Sequence, residues 1–435
     1  MRYDDMTEAI GNTPLVRIDP DVHGLRNIDL YAKMELLNPF GSLKDRAAWQ
    51  MARPLLAGAA ERGDTVVELS SGNTAKALAM IAGMHGLRFK SVTNRMKVPE
   101  VKDLLLLLGA EIDELPGQAE CLDPSDTEDP LSRMHRTLTS NGSGYVHTDQ
   151  YFNERNVEAH LHGTGPEIIK DLDGHAPDYF IACVGTAGSS TGVARALRQH
   201  DPDVRVIGLV AAKSDFIPGI RTIDEVHEVG LFEPDVYDSI ETITADDAID
   251  GLLTLVRRCG TPAGPTGGGA FHGAVRHLRT LDDSLTERRT AVFIVCDRVE
   301  SYLSYLRERR PALFGRPPRR NDTRLLDEAE VAAAPTIDVE EAQRWPGLVV
   351  DLRSPYAFQA LHIDGSINIV DELFAELLHG GLPFSRRQPV LLVCPVGEKS
   401  ARYAALLTRM GHPSVRSLAG GVIAWRDAGA RLVRD

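Results

Sequence analysis

The sequence predicts an α/β protein in which largely parallel sheets are covered by helices, arranged as two domains. Three observations predict it. Short β-branched runs alternate with longer amphipathic segments along the whole chain. The strand-like runs are continuously apolar, as strands buried on both faces must be. The chain has 435 residues, and at roughly 150 residues per domain two to three domains are expected.

Strands are predicted at 65–69, 179–184, 204–210, 291–296, 348–352 and 390–394, and helices at 74–85, 191–200, 245–258, 270–281 and 399–410. Composition changes after Leu306, where residues 307–320 read RERRPALFGRPPRR. Paired prolines interrupt helix and sheet alike, and clustered arginines resist packing. A linker over 307–335 is therefore expected, between domains at 1–306 and 336–435; a surface helix broken by a loop is the alternative.

The chain is 43% hydrophobic and 25% charged, which excludes a mainly disordered, collagen-like or coiled-coil protein. Its apolar run Leu104–Leu108 is far below the ~20 residues of a membrane span. The N-terminus lacks a basic and then apolar leader. A net charge of −14 gives no global support for nucleic-acid binding. Five widely spaced cysteines suit the reduced cytoplasm better than a disulfide framework. The 14 histidines show no metal-site spacing, so no metal is expected.

Three segments carry candidate chemistry in the first 300 residues. Lys44 follows a Gly41-Ser42 turn in Asn38–Arg46. Ser70-Ser71-Gly72-Asn73-Thr74 lies between a strand and a helix, where hydroxyls, an amide and backbone N–H groups can hold a carboxylate; an ordinary helix cap is the alternative. Gly185-Thr186-Ala187-Gly188-Ser189 is a second such turn, open enough for a phosphate to reach the backbone. It lacks both the P-loop lysine and GxGxxG spacing.

Taken in order with Gly11–Leu15, Gln150 and Gly264–Gly269, these motifs resemble the cysteine synthase and cystathionine β-synthase family. The resemblance spans about 3–305. It implies the tryptophan synthase β-like fold of type II pyridoxal 5′-phosphate enzymes, with two three-layer α/β subdomains. It implies that Lys44 forms a Schiff base with the cofactor and moves the substrate α-proton. Asn73 would meet the phenolic oxygen, and Gly185, Thr186, Ala187, Gly188 and Ser189 the phosphate. Thr266 would stand beside the pyridine nitrogen. Ser70, Ser71, Thr74 and Gln150 would hold the amino-acid carboxylate. A neutral hydroxyl at the ring nitrogen favours β-elimination to aminoacrylate over transamination.

Three departures from the family pattern stand out. Ala187 replaces a glycine but keeps its N–H. Lys76 stands near the substrate loop, where it is expected to face solvent. Arg221 resembles an arginine of the branch that uses O-phosphoserine, and a guanidinium suits a phosphate dianion better than a neutral ester.

From 336 to 435, Asp351, Arg353, His362, the Cys394-Pro395-Val396-Gly397-Glu398-Lys399-Ser400 loop and Gly420-Gly421 through Trp425 resemble a single rhodanese domain. A cysteine between a strand end and a helix start is placed to be a reactive thiolate, with Lys399 able to assist. Cys394 is thus the candidate sulfur carrier. Asp351, Arg353 and His362 are expected to be structural, Cys183, Cys259 and Cys296 to belong to the core, and Cys121 to have no role. Pro395 and Lys399 stand where arginines are common, which favours a persulfide or thiocarboxylate donor protein over thiosulfate; the basic linker would suit an acidic one.

The expected function is β-replacement on O-phosphoserine or O-acetylserine, giving cysteine or a cysteine persulfide with sulfur from Cys394. Cysteine desulfhydration with sulfur capture, and cyanoalanine synthesis, are the alternatives; a scaffold role is disfavoured by the presence of Lys44, Asn73 and Cys394. The family implies a homodimer.

Overall fold

The computed structural model describes residues 2–93, 96, 98–114, 144–213, 215–226, 229–315 and 321–434. Cys121 lies outside them. Among the described residues the chain forms two compact units, which divide between Arg309 and Arg310, with Glu114 grouped with the second.

The first unit holds strands β1 (Leu15–Arg17), β2 (Ile28–Lys33), β3 (Thr65–Leu69), β4 (Arg88–Thr93), β5 (Glu111–Glu114), β6 (Tyr145–His147), β7 (Tyr179–Cys183), β8 (Arg205–Ala211), β9 (Ser239–Ile243) and β10 (Arg289–Ile294). They form a six-stranded sheet of order β1-β2-β10-β7-β8-β9 and a four-stranded sheet of order β5-β4-β3-β6. In the larger sheet only β1 runs antiparallel to its neighbour. The central strands are buried along nearly their whole length, which is why they read as continuous apolar runs.

Helices cover these sheets. Ala245–Arg258 begins at a capping box of Thr244 and Asp247 and buries Ile249, Leu252 and Leu255. It packs on Pro265–Asp282 so closely that a Cβ on Gly268 would lie 2.2 Å from the Ala248 carbonyl, and one on Gly251 2.1 Å from that of Gly268. The expected helix at 270–281 thus begins five residues earlier, because its glycines seat one backbone on another.

The second unit holds β11 (Thr336–Ile337), β12 (Leu348–Asp351), β13 (His362–Ile363), β14 (Ile367–Asn368), β15 (Val390–Val393), β16 (Val415–Leu418) and β17 (Leu432–Val433). Five of them make a parallel sheet of order β11-β16-β15-β12-β14. The expected linker contains ordered pieces: Leu303–Arg309 enters it as helix, and Glu328–Ala332 is a short helix with its own capping box. Pro317 and Pro318 lie outside the described residues. No described helix is long and apolar enough to cross a membrane.

Candidate active site

Lys44 opens a 19-residue helix, Lys44–Arg62. A buried ionic network aims that helix. Arg46 donates from Nε to Glu35 Oε2 at 2.7 Å and from its terminal nitrogens to Glu167 at 2.7 and 2.6 Å. Glu35 also accepts the Thr13 hydroxyl at 2.8 Å and the Asn38 amide at 2.9 Å. Glu167 accepts the Asn12 N–H at 2.9 Å, and Lys33 lies 3.1 Å from it. Motif residues Asn12, Thr13, Asn38 and Arg46 therefore brace the lysine rather than touch a ligand.

Partial burial pushes the Glu167 carboxyl up, but Arg46, Asn12 N–H and Lys33 outweigh it and bring it from 4.5 to about 2. The folded value lies below the unfolded one, so this stability is present above pH 4.5 and fades as pH falls toward 2. Glu167→Gln is expected to cost about 3 kcal/mol at neutral pH. Denaturant melts at stepped pH should show the gap to wild type narrowing below pH 5.

The Lys44 amine reaches the predicted phosphate turn, donating from Nζ to Thr186 Oγ1 at 3.1 Å. Burial pulls this amine below the ordinary lysine range, opposed by the nearby Cys296 and Glu68. The turn joins β7 to the helix Gly188–His200. A Cβ on Gly185 would lie 2.6 Å from the Gly219 carbonyl, and one on Gly188 2.2 Å from Asn156 Oδ1. Ala187 sits at φ 60°, a left-handed conformation that costs a non-glycine residue roughly 1–2 kcal/mol. The sequence showed that Ala187 keeps its N–H but not that it occupies this strained corner. Ser189 is half-buried beside it.

Asn156 is a site residue that sequence reasoning missed. Its buried amide donates to the Gln150 carbonyl at 2.8 Å and to Thr186 Oγ1 at 3.1 Å, tying the two predicted loops together. Thr266 donates its hydroxyl to the Pro218 carbonyl at 2.8 Å, beside Gly219 at φ +84.

At the other loop, Thr74 donates to Gln150 Oε1 at 2.7 Å, and Gln150 donates to the Leu69 carbonyl at 2.8 Å. Ser70 Oγ accepts the N–H groups of Gly72 and Ala75 at 3.3 and 3.2 Å, so its hydroxyl serves the helix start. Ser71 is half-buried. Asn73 opens the helix Asn73–Met84 and donates from Nδ2 to Asp297 Oδ2 at 2.6 Å and to the Tyr302 hydroxyl at 3.2 Å. Arg221 donates its backbone N–H to the Val184 carbonyl at 2.9 Å, one residue before the phosphate turn, and its guanidinium carbon lies 5.2 Å from the Tyr151 ring centroid.

Lys76 corrects an expectation. It is buried rather than solvent-facing, and a Cβ on Gly41 would lie 3.6 Å from its Nζ. The first turn of its helix is enclosed by the 38–42 loop and the segment after β10, which the local sequence does not reveal.

This donor set fits a phosphorylated aldehyde. Backbone N–H groups and hydroxyls at a helix start suit the phosphate, and an amine held toward neutrality suits the carbonyl carbon.

In the second unit Cys394 follows β15 directly and is buried. Its Sγ accepts Gly397 N–H at 3.2 Å, Ser400 N–H at 3.4 Å and Ser400 Oγ at 3.3 Å. Those donors stand at the start of the helix Glu398–Arg409. Lys399, expected to support the thiolate, pairs its ammonium with Asp371, which also accepts the Tyr403 hydroxyl. Asp351 and Arg353 form a forked ion pair, and Arg353 also holds the Leu361 carbonyl at 2.6 Å. His362 bonds the Phe358 carbonyl at 2.8 Å. Cys183 is buried, and Cys259 and Cys296 are half-buried. No cluster of three or more metal-ligating side chains occurs among the described residues.

The family model for pyridoxal-phosphate-dependent enzymes matches residues 6–297, and that for rhodanese-like domains residues 336–428. Cysteine synthase B of Pseudomonas aeruginosa is 34% identical over 305 residues, 70% of this chain and 97% of that protein. The solved O-acetylserine-dependent cystathionine β-synthase of Helicobacter pylori is 26% identical at a TM-score of 0.59, over 70% of this chain and 98% of its own. A hydrogen sulfide-producing enzyme from Fusobacterium nucleatum is 27% identical at 0.60, over 69% and 100%. With lysine, phosphate turn and substrate loop gathered in one unit and a loop-held cysteine in the other, the chain belongs to the cysteine synthase and cystathionine β-synthase family of pyridoxal-phosphate-dependent enzymes and carries a rhodanese-like domain behind it.

Proposed function

We propose that this enzyme makes cysteine by β-replacement on O-phosphoserine, with O-acetylserine as the weaker alternative, and draws sulfur from a persulfide on Cys394. The observation that carries the first half is the 3.1 Å contact between Lys44 Nζ and Thr186 Oγ1, which brings an amine that burial pulls below the ordinary lysine range to a phosphate-type turn. Bound pyridoxal phosphate supplies the electron sink for loss of the α-proton and exchange at Cβ. Lys44 accepts and returns the proton. Asn73 and the Gly185–Ser189 turn would hold the cofactor, with Thr266 the candidate partner for its ring nitrogen. Ser71, Thr74 and Gln150 orient the substrate carboxylate, with Ser70 shaping their loop.

Sulfur supply rests on the three donors around Cys394 Sγ, which fix the sulfur at the start of a helix. A donor protein leaves a sulfane sulfur there as Cys394–S–SH. Thiols reduce that bond, becoming disulfide, and release hydrosulfide, which adds at Cβ after phosphate has been expelled. The reading includes a cytoplasmic homodimer.

The test offers O-phosphoserine and O-acetylserine with hydrosulfide and measures cysteine. O-phosphoserine should give the higher kcat/KM. Arg221→Ala should lower kcat/KM for it about tenfold or more, as for a lost charge-assisted phosphate contact, and leave O-acetylserine nearly unchanged. Equal loss with both would remove Arg221 from substrate recognition. Faster pyruvate release from cysteine than cysteine formation would reverse the direction assigned here.

A further inference from the structure

Behind Asn73 lies a group of side chains that the reading above leaves unused. Asp297, on the segment after β10, is 3% exposed. Its Oδ2 accepts both the Asn73 amide, at 2.6 Å, and the Tyr302 hydroxyl. Its Oδ1 is buried with no hydrogen-bond partner, and a Cβ on Gly264 would lie 2.1 Å from it. Lys76, one turn along the helix from Asn73, is 7% exposed, and the charges acting on it come from Asp45, Asp297, Arg298 and Glu300.

A buried carboxylate with one bare oxygen is costly unless a cation stands near. Lys76, buried one turn along the Asn73 helix, is the cation whose charge reaches it, at a separation longer than an ion pair. A primary amide has two N–H bonds and one oxygen, and it can be held either way round. A carboxylate can only accept, so it fixes the nitrogen end toward itself. Asp297 takes one of the two Asn73 N–H bonds. The Tyr302 proton already points to Asp297, and its oxygen, 3.2 Å from the Asn73 nitrogen, stands beside the carboxylate on the same side of the amide. That second N–H remains available to an oxygen in the cleft.

We propose that Lys76, Asp297 and Tyr302 form a positioning unit for Asn73, the ammonium balancing the carboxylate and the carboxylate and phenol locking the carboxamide so that Asn73 meets the cofactor as a donor. This rests on the reading of Asn73 as a cofactor contact. Burial raises the Asp297 carboxyl, while the Tyr302 hydroxyl, Lys76 and Asn73 pull the other way, so the ionised form depends on these partners. Burial likewise lowers the Lys76 amine, and Asp45 and Asp297 oppose it. Removing either charge leaves the other buried and unbalanced, and the amide free to turn.

The experiment strips the full-length protein of cofactor and titrates it with pyridoxal phosphate, recording the dissociation constant and the absorption maximum of the bound form. Asp297→Asn and Lys76→Met are each expected to weaken binding about tenfold, as for loss of a charged hydrogen-bond partner, and to move the band. In an Asn73→Ala background Asp297→Asn should not move the band further, since it acts through that amide. Tyr302→Phe keeps the packing and should move the band in the same direction by less; it carries the test if Asp297→Asn does not fold. Folded variants with wild-type affinity and band would overturn the proposal alone. A wild-type protein that takes up no pyridoxal phosphate would overturn the reading beneath it, and the proposal with it.

Discussion

Lys44→Ala is expected to lower β-replacement by at least about a thousandfold, at the upper range for losing a proton-transferring group. The variant should nonetheless fold. Lys44 sits at the first position of its helix, and the helix is held by Arg46, Glu35 and Glu167, none of which bonds the Lys44 amine. Thr186 keeps its contact from Asn156 at 3.1 Å when the lysine is gone. Burial disfavours a charge on this amine, so its removal carries no electrostatic penalty for folding. Circular dichroism and a thermal melt close to wild type, with activity at the detection limit, would place the defect in the chemistry. Retained turnover would put the reacting amine elsewhere.

Cys394→Ala is expected to separate the two halves of the enzyme. With hydrosulfide supplied directly, cysteine formation should stay within about twofold of wild type, because the first unit's residues are untouched and sites that share no partners do not couple. With a sulfane sulfur donor and thiol, it should fall at least about a hundredfold, since Cys394 is the only cysteine between residues 310 and 435. The buried Sγ accepts three donors; alanine leaves the Gly397 and Ser400 N–H groups unpaired at about 1–3 kcal/mol, while the Ser400 hydroxyl keeps the Gly397 carbonyl and Ser417. A melt of the variant must therefore accompany the assay. Equal loss with both sulfur sources in a folded protein would contradict coupling between the domains.

Much of this architecture was legible from pattern alone. Thr65–Leu69, Tyr179–Cys183 and Val390–Val393 are strands because each is a continuous apolar or β-branched run bounded by turn residues, and each was read from that run. The Lys44–Arg62 helix was missed. Its start is charged, its apolar face is alanine-rich, and Pro54 lies inside it, so local signals argue against the longest helix among the described residues. The Gly188 and Pro265 helices begin earlier than expected because close packing overrides the low helix propensity of their glycines.

At the site, Lys44, the Gly185–Ser189 turn and the Thr74–Gln150 pair were read as candidates because each lies in a compact motif. Their supports were not. Glu167 reaches Arg46 across 121 residues, and Asp297 reaches Asn73 across 224. Nothing local marks a carboxylate that will be buried against a distant amide or guanidinium. Lys76 was misjudged for the same reason: a lysine is usually solvated, and only the fold supplies the buried carboxylates that hold it.

The central claim is that the Lys44 amine is where the cofactor is anchored. Borohydride treatment of the pyridoxal-phosphate-loaded enzyme, followed by proteolysis and mass spectrometry, tests it directly. The predicted result is a single pyridoxyl-modified peptide carrying the label on Lys44. A label on any other lysine, or none on a protein that has demonstrably bound the cofactor, would contradict it.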